Sequence, residues 1–74
     1  MNIKQAKQEF TNLTGLPAKR KSILTAILKF RGHYSSWLNY GIGKYPEAKD
    51  LTDTRTLHCW LSLVGYLKVL KEIR

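Results

Sequence analysis

The segment from residue 57 to residue 73 constrains the fold of this chain more than any other. Its apolar side chains recur at helical spacing on two nearly opposite faces. One face carries Leu57, Trp60, Leu61, Val64 and Leu67, and the other carries Leu63, Tyr66, Val69, Leu70 and Ile73. A helix that is apolar nearly all round lies at the centre of a fold or is shared between the fold and a partner surface. The segment therefore predicts a long C-terminal helix over residues 54–73, capped by Thr52 or Asp53.

Shorter helices are predicted before it. The apolar residues of the N-terminal segment fall on one helical face, namely Ile3, Ala6, Phe10 and Leu13. Gly15 is expected to end this first helix, because glycine adopts the left-handed conformation at little cost. Pro17 is expected to start a second helix, since its fixed φ suits a first helical turn. The predicted inner face of the second helix consists of Ile23, Leu24, Ile27, Leu28 and Phe30.

Glycines and serines that can end and begin helices predict a short third helix. Gly32 interrupts the second helix, and Ser35 or Ser36 can cap the third one. Gly41 is placed to stop it in a left-handed conformation. The 74 residues are therefore expected to form one all-α domain over residues 1–74, a small bundle of three to four helices.

Two apolar faces on one helix are difficult to cover with three short helices. We therefore expect a homodimer in which one face of the C-terminal helix forms the seam. The predicted seam residues are Leu63, Tyr66, Leu70 and Ile73. Gly65 lies in the middle of this helix, where it either permits close backbone approach at the seam or breaks the helix in two.

Residues 23–42 have the outline of a helix-turn-helix-like pair, with an apolar helix, a glycine turn and a short second helix. In such a unit the second helix enters the major groove of DNA by its N-terminal residues. The readout candidates are Tyr34, Ser35, Ser36 and Asn39, whose side chains can reach base edges or phosphates. The stretch SSWLNYGIGKYP, followed by a capped helix, resembles the recognition helix and loop of Cro-like and repressor-like domains. It carries no diagnostic motif, and membership of that family is not inferred.

Charge is unevenly distributed along the chain. No acidic residue lies between Phe10 and Pro46, whereas the net charge of the whole chain is +8. A surface of one sign attracts polyanions and raises their encounter rate. The candidate phosphate contacts are Lys19, Arg20, Lys21, Lys29, Arg31 and Lys44. The sequence therefore predicts a small nucleic-acid-binding protein, a DNA-binding regulator that favours duplex DNA.

A protein partner is the alternative that the same residues support. A basic face with interleaved tyrosines can dock on an acidic protein surface, where aromatic side chains supply much of the binding energy. Exposure separates the two hypotheses. A polar face on the third helix favours the DNA groove, whereas an exposed apolar patch favours a protein partner.

Signatures of other functions are weak. His33, His58 and Cys59 are the imidazoles and thiol of the chain, and the last two are adjacent on a helix, so they cannot chelate one ion together. No acid and base pair for catalysis is visible, so we expect no catalytic residue, no metal and no cofactor. The apolar run over residues 57–70 is too short to span a bilayer. A single cysteine fits a reducing compartment, so we expect a cytoplasmic protein.

Overall fold

The computed structural model describes residues 1–73 and contains four α-helices in that range. They are α1 (Ile3–Thr14), α2 (Arg20–Lys29), α3 (Tyr34–Lys44) and α4 (Leu57–Ile73). None of the described residues lies in a strand. The predicted all-α class, the helix count and the long C-terminal helix are confirmed.

The helix α4 is the centre of the fold, because both α1 and α3 pack on it. On the α1 side, the ring of Phe10 meets the ring of Trp60 edge to face, with centroids 5.2 Å apart. On the α3 side, the rings of Tyr40 and Tyr66 lie 6.0 Å apart. The first part of both apolar faces of α4 is therefore covered within one chain, whereas Val69 and Ile73 near its end stay exposed. The expectation that three short helices cannot cover these faces is wrong for Leu63 and Tyr66.

The residues assigned to a dimer seam lie mostly inside the single chain. Leu63 is fully buried and Tyr66 is only 6% exposed. Leu70 is partly buried against the core, whereas Ile73 is 75% exposed. Leu63 and Tyr66 therefore have no surface to offer a second copy, because α3 and the core already occupy their faces. The homodimer itself stays a prediction.

Two glycines bring α3 and α4 close together. A Cβ atom added at Gly65 would lie 2.5 Å from the hydroxyl oxygen of Tyr40, so this glycine accommodates a side chain of the same chain, and α4 continues through it unbroken. A Cβ atom added at Gly41 would collide with Leu51 and come within 3.2 Å of Cβ of Ser62. The prediction that Gly41 stops α3 is wrong, since the helix runs on to Lys44 and the glycine serves close packing instead.

Trp37 anchors α3 in the core. Its side chain is fully buried, and its indole N–H donates a hydrogen bond to Oγ of Ser62 at 2.9 Å. The Ser62 hydroxyl in turn donates to the carbonyl of Cys59 at 2.8 Å. This short chain of hydrogen bonds satisfies every polar atom that it buries. It also fixes the rotation of α3 about its own axis, which decides which residues α3 exposes.

The ends of α1 follow local sequence signals. Asn2 and Gln5 form a capping box, in which each side chain accepts from the other's backbone N–H at 2.9 Å. Gly15 ends the helix with φ 74°, as predicted. The second helix does not start at Pro17. Pro17 lies in a turn, and its carbonyl accepts a hydrogen bond from the N–H of Lys19. The backbone of Lys19 is extended, and α2 begins at Arg20.

The inner face of α2 differs from the predicted one. Its buried residues are Ser22, Ile23, Ala26 and Ile27. Leu24 and Leu28, which the apolar pattern placed inside, are 50% and 59% exposed. The small side chains at positions 22 and 26 let the helix lie close on the core, and this rotates the two leucines towards solvent. Helical spacing alone could not distinguish the two rotations, because both faces contain apolar residues.

The start of α4 is capped by Thr56, whereas the sequence predicted Thr52 or Asp53. The hydroxyl of Thr56 accepts from the N–H of Cys59 at 3.3 Å, and the indole N–H of Trp60 donates to the carbonyl of Thr54 at 2.8 Å. Asp53 instead accepts from the backbone and guanidinium of Arg55, which lowers the pKa of its carboxyl group. Its role is to fix the turn before the helix.

Candidate nucleic-acid interface

The joint between α2 and α3 carries a left-handed residue that is not glycine. Arg31 has φ 59°. Its N–H donates to the carbonyl of Leu28 at 3.0 Å, and the N–H of Gly32 donates to the carbonyl of Ile27 at 2.9 Å, which together form a Schellman motif. Gly32 was predicted to interrupt the helix, and its position in the joint is confirmed.

The reason for a glycine at position 32 is packing against α4. A Cβ atom added to Gly32 would lie 2.6 Å from both Cδ1 of Leu70 and the hydroxyl oxygen of Tyr66. The left-handed conformation is adopted by Arg31 instead, and it costs more free energy there than it would at a glycine. The joint is therefore held both by backbone hydrogen bonds and by close contact with the last helix.

This assignment gives a stability prediction. Arg31→Gly should be more stable than Arg31→Ala by about 1 kcal/mol, because both changes remove the same side chain and only glycine adopts φ near 59° without strain. Chemical denaturation of the two variants measures the difference in free energy of unfolding. The matched control is Thr25→Gly against Thr25→Ala inside α2, where the order should reverse. Equal stability of the two variants at position 31 would contradict the assignment.

The first turn of α3 is fixed to α4 by a tyrosine. The backbone N–H of His33 donates to the hydroxyl of Tyr66 at 3.0 Å. The N-cap of α3 is His33, with no hydrogen bond from its side chain, so the predicted caps Ser35 and Ser36 lie inside the helix. Neither serine hydroxyl therefore caps α3. The start of this helix is held by Tyr66 of α4.

All four readout candidates lie on the surface of α3. Ser35, Ser36 and Asn39 are exposed, and their spacing of three and four residues places them on one side of the helix. Tyr34 is 42% exposed, and its ring meets Trp37 edge to face at 5.2 Å. Neither α2 nor α3 contains a carboxylate. This side of α3 therefore presents hydroxyl and amide groups, with the exposed Ile42 one turn after Asn39, and no carboxylate lies on either helix.

The basic run at the start of α2 lies beside the start of α3. Arg20 and Tyr34 line the same small cleft of about 110 Å³, together with Leu24 and Thr52. Lys19 and Lys21 flank Arg20, whereas Arg31 and Lys44 lie at the later ends of α2 and α3. All six predicted phosphate contacts are exposed, namely Lys19, Arg20, Lys21, Lys29, Arg31 and Lys44. The fold thus places cations at both ends of the exposed side of α3.

The loop before α4 brings negative charge to the edge of this region. Hydrogen bonds from Thr52 lower the pKa of Asp50, and the charge of Arg20 lowers it further. Arg20 has the same secondary effect on Asp53. The stretch without acidic residues in the sequence is therefore bordered in space by two carboxylates near Arg20.

Lys29 has a role that the sequence did not indicate. Its ammonium group donates to the backbone carbonyl of Thr14 at 2.8 Å. This carbonyl belongs to the last turn of α1, where carbonyl groups lack partners within the helix and attract cations. Lys29 therefore ties α2 to the end of α1. Lys29 is nevertheless exposed, and its assignment as a phosphate contact stays a prediction.

Lys71 is a cation near the interface that sequence reasoning missed. It lines a surface groove of about 340 Å³ with Lys29, Phe30, Arg31 and Leu70. The groove joins the end of α2 to the end of α4. Nothing in the local sequence could have suggested this, because the two segments lie far apart along the chain.

Other chemistry-bearing residues do not form a second site. Burial raises the pKa of the Cys59 thiol to about 12, so this side chain is an inert part of the core. Nε2 of His58 lies 3.2 Å from a carboxylate oxygen of Glu47, and its ring stacks on Tyr45. Within residues 1–73, no three histidine, cysteine or acidic side chains are grouped as a metal site would require. No helix in that range has the length and apolarity to cross a membrane.

Known proteins offer no direct guide to the function. No family model, curated protein or solved structure matches this chain. Geometry and charge therefore carry the functional proposal.

Proposed function

We propose that this protein is a small cytoplasmic nucleic-acid-binding regulator that contacts duplex DNA through α2 and α3. The observation that carries the proposal is the exposed side of α3. It presents Ser35, Ser36 and Asn39 without a carboxylate on either helix, and exposed cations lie at both of its ends. A polar face with this charge pattern suits a phosphate-lined groove.

The roles of the residues follow from their chemistry. The amide of Asn39 can donate and accept at once, which matches the N6 and N7 atoms of adenine in the major groove. The serine hydroxyls can pair with donors or acceptors on base edges or with phosphate oxygens. Lys19, Lys21 and Lys44 supply phosphate contacts that orient the protein but carry no sequence information. The net charge of +8 accelerates the encounter with DNA.

The proposal predicts strongly salt-dependent binding. Four to six phosphate contacts give a slope of about −3.6 to −5.4 when the logarithm of the binding constant is plotted against the logarithm of salt concentration. Fluorescence anisotropy with a labelled duplex measures this slope, and a duplex RNA serves as the competing ligand. Lys21→Gln should reduce the slope by about 0.9, because one counterion release is lost.

A matched control uses the same loss of charge at another surface. Lys4→Gln on α1 also removes one exposed positive charge and should leave the slope unchanged. Equal effects of the two changes would show that net charge alone drives binding. Absence of binding at low salt and micromolar protein would contradict the proposal.

A further inference from the structure

Two leucines of α2 form an exposed apolar stripe. Leu24 and Leu28, called here the leucine stripe, are 50% and 59% exposed and lie one helical turn apart on the same face. Leu24 also lines the cleft that contains the half-exposed ring of Tyr34. The apolar surface is therefore continuous from α2 to the start of α3. Contiguous exposed apolar surface is typical of protein interaction sites.

Cations border the leucine stripe at both ends. Arg20 and Lys21 lie one turn before Leu24, and Arg31 lies one turn after Leu28. The apolar centre therefore has positive charge at both ends, and Asp50 and Asp53 lie near Arg20 at one of them. A complementary partner must present apolar side chains framed by negative charge.

We propose that the leucine stripe docks an acidic amphipathic helix of another protein. Such a helix places apolar side chains at spacings of three and four residues into the surface around Leu24, Leu28 and Tyr34, with glutamates or aspartates opposite the cations. A second copy of this chain would not fit. It would bring the same cations to the same positions, and each chain carries a net charge of +8.

The inference stands apart from the proposed DNA interface but shares residues with it. Arg20 and Lys21 border the leucine stripe and also belong to the basic run proposed to contact phosphate. A partner helix that covers them should compete with DNA. Binding of one ligand is therefore expected to weaken binding of the other.

A synthetic peptide provides the probe. It has about 18 residues, or five helical turns, with leucines on one face and glutamates along both borders of that face. The control peptide has the same composition, but its leucines are spread around the helix. We expect micromolar binding of the first peptide by titration calorimetry and at least about tenfold weaker binding of the second. Equal binding of both peptides would mean that charge alone is recognised, and it would overturn the proposal.

Variants locate the binding surface. The double change Leu24→Gln with Leu28→Gln should weaken peptide binding at least about tenfold, while thermal stability and DNA binding stay unchanged. The matched control is Ile42→Gln, which replaces an exposed apolar residue of α3 outside the stripe and should leave peptide binding intact. If the double variant unfolds, amide chemical shifts of the unmodified protein decide the question. Shifts on peptide addition must then centre on residues 20–34, and changes elsewhere would overturn the proposal.

Two further measurements exclude other occupants. Light scattering should give the same mass for the unmodified protein and the double leucine variant, since a mass that fell with the double change would assign the stripe to a second copy. Vesicles of phosphatidylserine and phosphatidylcholine should bind both proteins equally. Selective loss of vesicle binding in the double variant would assign the stripe to a lipid surface.

Discussion

Replacing Trp37 with alanine is expected to remove about 3 to 5 kcal/mol from the free energy of unfolding. The indole is fully buried and donates to Ser62, so the change leaves a cavity and also removes a hydrogen bond. A chain of 74 residues has a total stability of about 4 to 11 kcal/mol, at about 0.05 to 0.15 kcal/mol per residue. The variant should therefore lose from about a quarter of its stability to all of it and melt at a clearly lower temperature, which circular dichroism during heating will measure.

Two control variants separate the parts of this effect. Trp37→Phe should cost about 1 to 2 kcal/mol, because most of the apolar volume remains and the Ser62 hydroxyl keeps its bond to the carbonyl of Cys59. Tyr34→Ala removes a half-exposed ring that contacts Trp37, and it should cost about 1 kcal/mol or less. If the Trp37→Ala variant had the same melting temperature as the unmodified protein, Trp37 would not anchor α3 as described.

Reversing the charges of Lys19 and Lys21 is expected to weaken duplex DNA binding by about 100-fold at low salt, since two phosphate contacts are lost and two repulsive ones are introduced. The fold should tolerate this change. Both residues lie at the start of α2, where carboxylates interact favourably with the helix dipole. Anisotropy titrations measure the affinity, and chemical denaturation verifies that the free energy of unfolding has not fallen.

The matched control reverses two lysines elsewhere. Lys4→Glu with Lys49→Glu lowers the net charge from +8 to +4, two units for each reversal, as the first pair does. Binding by the control should fall far less, about tenfold or below, through the long-range field alone. Similar losses in both double variants would remove the case for an interface on α2 and α3.

Lys29→Gln should behave differently from both pairs. Its ammonium group is bonded to the carbonyl of Thr14, so the main expected effect is a loss of stability rather than of DNA affinity. A charge reversal at this position would confuse the two effects. It is therefore unsuitable as a test of phosphate contact.

Local signals in the sequence predicted the elements of the fold well. The helix count follows from apolar spacing, and the end of α1 follows from Gly15, because its φ of 74° favours glycine on backbone grounds alone. These features depend on a few neighbouring residues. Long-range packing was not needed to find them.

Features that depend on contacts between distant segments could not be read from the sequence. Gly41 has the sequence context of a helix stop. Its lack of a side chain is instead required by close contact with Leu51 and Ser62, which come later in the chain. The exposure of Leu24 depends on which side of α2 meets the core. For the candidate site, sequence composition identified the cations and the polar face of α3, whereas the engagement of Lys29 by Thr14 required the assembled fold.

The pairing of α1 with α4 determines when the chain can fold during its synthesis. Phe10 leaves the ribosome 50 residues before its partner Trp60. Until α4 emerges, α1 and α3 lack the surface on which they pack, and isolated helices of this length are marginal in water. The nascent chain therefore stays open to chaperones and proteases until α4 emerges, and these residues complete their fold only when α4 is free to pack on α1.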